Sequence, residues 1–198
     1  MKRALLKAAT KLFAENGYEK VPIKAIAEEA GVTSGMIAYY FGGKGGLYRE
    51  VLHSLFLAYE KRLPRLMDEK EKEKGCRELM KEYFEAAYRI YEDNPYYSMI
   101  ICREGSNPTG EFKVLLREHE ERMGGDYLKH LIQHCIDSGA IRADVSAGVL
   151  ARLLSLTANY YRIPMSLHDT LHPHESFDIR AYFDLLGDLF FTGLEKRN

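Results

Sequence analysis

The chain has 198 residues, 46% hydrophobic and 29% charged, with a formal net charge of −1, enough for one large domain or two small ones around a real core. Three widely spaced cysteines (Cys76, Cys102, Cys135), odd in number and without a C-x-x-C pair, exclude a disulfide framework or a zinc ribbon and point to a reducing compartment. No apolar run approaches membrane-spanning length and no apolar signal core follows Lys2-Arg3, so a cytoplasmic location is expected. The charge is unevenly placed. Residues 1–50 hold eight Lys/Arg and five Asp/Glu, while the rest of the chain holds 20 basic and 24 acidic groups. A basic N-terminal unit on an acidic body is a layout that suits a DNA-binding protein.

The sequence reads as helix throughout, with no β-branched alternation bounded by hairpin turns. Leu5, Ala8, Ala9, Leu12 and Phe13 form the stripe of a first helix that stops at Asn16-Gly17. Pro22 sits where a first helical turn tolerates proline, and Ile23, Ile26, Ala27 and Ala30 form a second, short stripe ending at Gly31. A third helix is expected from Thr33, as N-cap, to about Tyr40, broken by Gly42-Gly43. The next carries Leu47, Val51, Leu52, Leu55, Phe56, Tyr59 and Leu63 and ends at Pro64; the charge run Asp68 to Lys74 is read as a solvated end or loop.

After Gly75 comes a helix with Leu79, Met80, Tyr83, Phe84, Ala87 and Tyr91 at helical spacing, then a short apolar helix from Tyr96 to Arg103. A long helix is expected from Thr109 to Ser138, kinked or broken at Gly124-Gly125. Asp144 is expected to cap a helix that stops at Pro164. Residues 164–176 read as a loop, and a last helix runs from Phe177 to about Lys196.

The segment Ile23 to Phe41 has the helix-turn-helix pattern, two short helices around a tight turn at Gly31, with Val32 to plug the angle between them. With Ile37 inward and ~100° per residue, Tyr40 and Phe41 fall on the inner side. Gly35 and Tyr39 point away, flanked by Met36 and Ala38. Thr33, Ser34 and Gly35 would enter a major groove first, and Met36 or Ala38 suits thymine methyl groups. The Thr33 and Tyr39 hydroxyls and the Lys44 ammonium suit phosphate oxygens.

Ala8-Ala9 through Tyr18, then Ile26 through Val32, then Ile37 through Phe41 with Lys44 and Leu47, resemble the DNA-binding domain of TetR-family repressors. The resemblance is close over residues 3–50 and extends to the length and helical layout of the whole chain. It implies an all-α fold, with a three-helix DNA-binding domain (residues 1–46) and a helical effector-binding and dimerisation domain (47–198). It implies a homodimer, a double-stranded DNA operator and a small-molecule effector, and it adds Tyr40 to the operator contacts. Departures are Ser34 in place of a frequent lysine, Ala38 in place of a frequent tyrosine, and Pro22 in place of a capping hydroxyl residue. Gly45-Gly46 also stands where relatives often carry acidic residues. The first of these predicts a modest salt dependence of DNA binding, and the glycine pair a less rigid domain linker.

The dimer is expected on the last two helices, with Leu150, Leu154, Tyr161, Leu186 and Phe190 among the contacts. An effector pocket for a largely apolar or aromatic ligand is expected among Tyr83, Tyr88, Met99, Arg103, Met123, Tyr127 and Tyr160. The alternative to a ligand-gated repressor is a helical interaction protein or a metal-responsive regulator using His168, His172 and His174. No nucleophile elbow, glycine-rich phosphate loop or H-E-x-x-H is present, so no enzyme, cofactor or bound metal is expected.

Overall fold

The computed structural model describes residues 1–62, 74–122, 126–160 and 178–194; of Tyr91, Asn159 and Tyr160 only the backbone is described. Among the described residues all regular structure is helical. In chain order the helices are α1 (Lys2–Asn16), α2 (Ile23–Glu29), α3 (Gly35–Phe41), α4 (Lys44–Arg62) and α5 (Cys76–Asp93). They continue with α6 (Pro95–Ser106), α7 (Gly110–Arg122), α8 (Tyr127–Asp137), α9 (Ala147–Tyr160) and α10 (Ile179–Leu194). No described helix is long and apolar enough to cross a membrane.

By packing, the chain divides into two compact units, one of residues 1–60 and 93–119 and one of residues 61–92 and 120–198. The first is built on α1, whose stripe Leu5, Ala9 and Phe13 is fully enclosed by Ile26 of α2, Ile37 of α3 and Leu47, Val51, Leu52 and Leu55 of α4. The same core takes in Ile100 of α6 with Phe112 and Leu115 of α7, so a segment distant in sequence closes the N-terminal bundle. The second unit buries Leu79, Met80 and Ile90 of α5, Leu131 and Ile132 of α8, Leu154 of α9 and Phe183 and Phe191 of α10. Tyr182 of α10 donates to the Thr157 carbonyl of α9 at 2.8 Å.

Helix ends explain where the observed elements depart from the expected ones. Gly17, Gly31 and Gly42 all have positive φ, the conformation that ends a helix at least cost when no β-carbon is present. At Gly31 the Val32 N–H reaches the Ala27 carbonyl (2.9 Å) and the Gly31 N–H reaches Glu28 (3.1 Å), which is the Schellman arrangement. The third helix starts at Gly35, one residue later than a Thr33 N-cap implies. Ser34 is its N-cap and makes no side-chain cap bond, while Thr33 lends its carbonyl to the Met36 N–H (3.1 Å). The expected long helix with its kink or break at Gly124-Gly125 corresponds to α7 and α8, and residues 123–125 lie outside the described residues; Asp126 caps α8 by accepting from Lys129 N–H at 3.1 Å. Asp144 does not cap α9. Its carboxylate is taken by Arg142 at 2.6 Å, and Ser146, next to the helix start, accepts from Val149 N–H.

Candidate nucleic-acid interface

The geometry of α3 follows from one anchored residue. Ile37 is completely buried, and the turn at Gly31 fixes the direction in which α3 leaves α2. Thr33, Ser34, Gly35 and Ala38 are exposed, and Tyr39 is the most exposed large side chain of the element at 79%. Met36 is half-buried and packs against the edge of the core, which leaves less of it for a partner. Tyr40 is not on an inner face as the helical wheel has it. It is 37% exposed, with its ring edge-on to Tyr39 at 5.0 Å. With seven residues, α3 ends at left-handed Gly42 before a neighbouring helix covers Tyr40, so only Ile37 is enclosed. The accessible surface is therefore a small-residue first turn followed by two phenols.

Lys44 opens α4. Its ammonium donates to the Glu19 carbonyl at 3.2 Å and lies 4.6 Å over the Tyr18 ring. An ammonium has three donors, so this anchoring leaves N–H bonds for a phosphate while holding the long side chain in place. Gly46 stands in the next step of α4, where a β-carbon would lie 1.8 Å from the Phe41 carbonyl oxygen. The α3–α4 junction is thus a tight backbone contact that requires glycine at position 46. Charge pairs tie the outer edges: Lys11 to Glu29 at 2.7 Å joins α1 to α2, and Lys2 to Glu50 at 3.3 Å joins α1 to α4.

Behind α4 lies a polar cluster that sequence reading missed. Glu104, 3% exposed, accepts from the Tyr48 hydroxyl and from the backbone N–H (2.7 Å) and hydroxyl of Thr109. Thr109 in turn caps α7, its hydroxyl accepting from Phe112 N–H at 3.2 Å. Burial, the Glu104 bond and the nearby carboxylates push the Tyr48 phenol well above its ordinary value. Tyr48 also stacks on Tyr18 (4.6 Å) and meets Phe13 edge-on (5.0 Å). An isolated glutamate at the end of an apolar helix carries no sequence signal for this, because its partners are 56 and five residues away.

The expected effector residues that are described fall in both compact units. Tyr83 and Tyr127 stack at 6.3 Å within the second unit. Tyr88 lies instead in a cavity of about 350 Å³ between α5 and α10, with Phe84, Phe183, Phe191, Arg77 and Arg180. Met99 packs at the edge of the core of the first unit. Arg103, also there, donates to the Ala14 carbonyl (2.8 Å) and the Glu15 carbonyl (2.6 Å), so it closes the end of α1. Met123 and the side chain of Tyr160 lie outside the described residues, as do Tyr161, His168, His172 and His174. Of the expected dimer residues, Leu154 and Phe190 are buried within the chain, and Leu150 and Leu186 are half-buried. The large apolar side chains left outside are their neighbours Val149, Leu153 and Leu156 on α9 and Leu185 and Leu189 on α10.

Comparison with known proteins agrees with this geometry. Residues 5–51 match the family described as "Bacterial regulatory proteins, tetR family". The HTH-type transcriptional regulator HbdR of Aromatoleum sp. (strain CIB) is 41% identical over 64 residues, 32% of this chain and 28% of its own length. The probable HTH-type transcriptional regulator YttP of Bacillus subtilis (strain 168) is 24% identical over 193 residues, 92% of this chain and 88% of its own. Among solved structures, the ketosteroid transcriptional regulator KstR2 of Mycobacterium tuberculosis superimposes with a TM-score of 0.74 at 18% identity, covering 99% of this chain and 95% of that one.

Proposed function

This chain belongs, through its N-terminal domain at residues 5–51, to the tetR family of bacterial regulatory proteins, and from that premise we propose that it is a homodimeric repressor released from its operator by a small, largely apolar or aromatic ligand. The observation that carries DNA binding is the outward face of α3, pinned by buried Ile37 and presenting Thr33, Ser34, Gly35, Ala38 and Tyr39. Gly35 admits the groove floor closely. Met36, where exposed, and Ala38 meet thymine methyls, and the Tyr39, Tyr40 and Thr33 hydroxyls with Lys44 hold phosphates. The recognition surface is short of charge, so few counterions are released on binding and affinity falls gently with salt.

A second copy supplies the second recognition helix, so that two half-sites about one helical turn apart (~34–36 Å) are read together. Exposed aliphatic rows on α9 and α10 support dimerisation there, beside Leu150 and Leu186. The cavity between α5 and α10, walled by Phe84, Tyr88, Phe183 and Phe191, supports an aromatic-tolerant effector site in the second unit. A ligand that favours one arrangement of the dimer shifts the population away from the DNA-competent one.

Fluorescence anisotropy with labelled fragments of the protein's own promoter, titrated at several salt concentrations, tests the reading. Binding below about 1 μM with a shallow salt slope is expected. If no fragment binds below micromolar protein at moderate salt, the proposal fails.

A further inference from the structure

Cys76 and Cys135 are 59 positions apart in sequence, yet the fold brings them together around Ser138, and each thiol shifts the titration of the other. Cys76 is the first residue of α5 and is 7% exposed; Cys135, on α8, is fully enclosed. Ser138 completes the cluster. Its hydroxyl lies 3.3 Å from the Cys76 sulfur and donates to the Cys135 carbonyl at 3.2 Å, holding both elements together. Among the described residues no third metal-ligating side chain joins them, which separates the pair from a metal site. The remaining cysteine, Cys102, belongs to the other unit and is buried in α6.

We propose that Cys76 and Cys135 are a modification site, a dithiol that a hydroperoxide converts to an intramolecular disulfide between the start of α5 and α8. Cys76 is the attacking sulfur. It is at the rim, at the positive end of a helix, and the Cys135 thiol beside it, with the field of His134, favours its thiolate against the cost of burial. Its sulfur attacks one peroxide oxygen and the O–O bond breaks. The sulfur becomes a sulfenic acid, and the departing oxygen takes the thiol proton and leaves as water or alcohol. The Cys135 sulfur then attacks the sulfenic sulfur, the S–O bond breaks, and hydroxide leaves as water with the Cys135 proton. The peroxide gains two electrons and the two thiols lose two. The disulfide brings the two sulfurs to about 2.05 Å.

The test uses the reduced full-length protein and hydrogen peroxide, followed by alkylation of free thiols in denaturant and peptide mapping without reductant. A cross-linked Cys76–Cys135 peptide pair about 2 Da lighter than the sum of its parts is expected, and it disappears with dithiothreitol while Cys102 stays alkylated. In Cys135→Ser, dimedone should trap Cys76 as the sulfenic acid; in Cys76→Ser, Cys135 should remain unlabelled. Three results overturn the proposal: both cysteines still alkylated after peroxide, a disulfide to Cys102 or between chains, or sulfinic Cys76 with no cross-link.

Discussion

A β-carbon at position 46 would meet the Phe41 carbonyl oxygen at 1.8 Å, and that oxygen is backbone that cannot swing aside. Gly46→Ala should therefore destabilise the fold by on the order of 3 kcal/mol, read as a lower midpoint in urea unfolding. Gly45 is the internal control. Its β-carbon would meet only the ends of the Tyr18 and Glu111 side chains at ordinary contact distance. Gly45→Ala should be neutral or stabilising by up to about 1 kcal/mol, as helix glycines generally are. Equal effects at the two sites would contradict the close approach. Tyr48 offers a second residue-level test. Removing its hydroxyl leaves that buried carboxylate oxygen of Glu104 only a share of the Thr109 hydroxyl, so Tyr48→Phe should cost about 1.5–3 kcal/mol. Folding raises the Tyr48 phenol, so its contribution is complete below the unfolded value, near 10, and is lost as pH rises beyond it. The stability gap between the native protein and Tyr48→Phe should therefore narrow in alkaline solution, and a gap that stays constant from pH 8 to pH 11 would refute the assignment.

At the scale of elements, periodicity located nearly every described helix, because each has a stripe that must be buried. It could not show which stripes meet. Nothing in the short apolar run at 96–103 says that it packs on α1, since a contact across almost ninety residues leaves no local trace. Nor does the sequence show that the Arg103 guanidinium bonds two carbonyls at the end of α1. Arg103→Ala should cost about 1–2 kcal/mol of stability through those lost bonds. Arg103→Lys should recover little, because one ammonium does not reproduce a planar fork on two adjacent carbonyls. Thermal unfolding of the three proteins decides it, and full rescue by lysine would mean that charge alone matters there. The recognition helix was legible for the opposite reason. Its turn glycine, its plug at Val32 and its buried Ile37 all lie within seven residues, so local pattern and fold constrain the same short segment. Tyr40 escaped because a wheel assumes neighbours on every side, which a helix of seven residues lacks at its end.

At the scale of the whole molecule, the question is which apolar residues one chain leaves for a second. Residues 149–156 of α9 are aliphatic at every position except Arg152 and Ser155, so sequence spacing cannot tell the inner row from the outer one. Burial separates them. Leu154 is 3% exposed, whereas Val149, Leu153 and Leu156 lie between 53% and 66% exposed at i, i+4 and i+7, one helical row. Leu185 and Leu189 repeat the pattern on α10. Burying a side chain of this size is worth about 1.5–3 kcal/mol, so five of them on each of two copies form a strong drive to association. A charge in the middle of that row must be desolvated or must keep the copies apart. The double substitution Leu153→Glu with Leu189→Glu should therefore halve the mass seen by sedimentation while leaving the helical circular dichroism intact. Operator affinity should fall with it, because a single recognition helix reads one half-site. Leu154→Ala should do the reverse, lowering stability by about 2–5 kcal/mol without changing the mass of the folded protein. If the glutamate pair stays dimeric, or if Leu154→Ala alone dissociates the dimer, the interface lies on another face of the second unit.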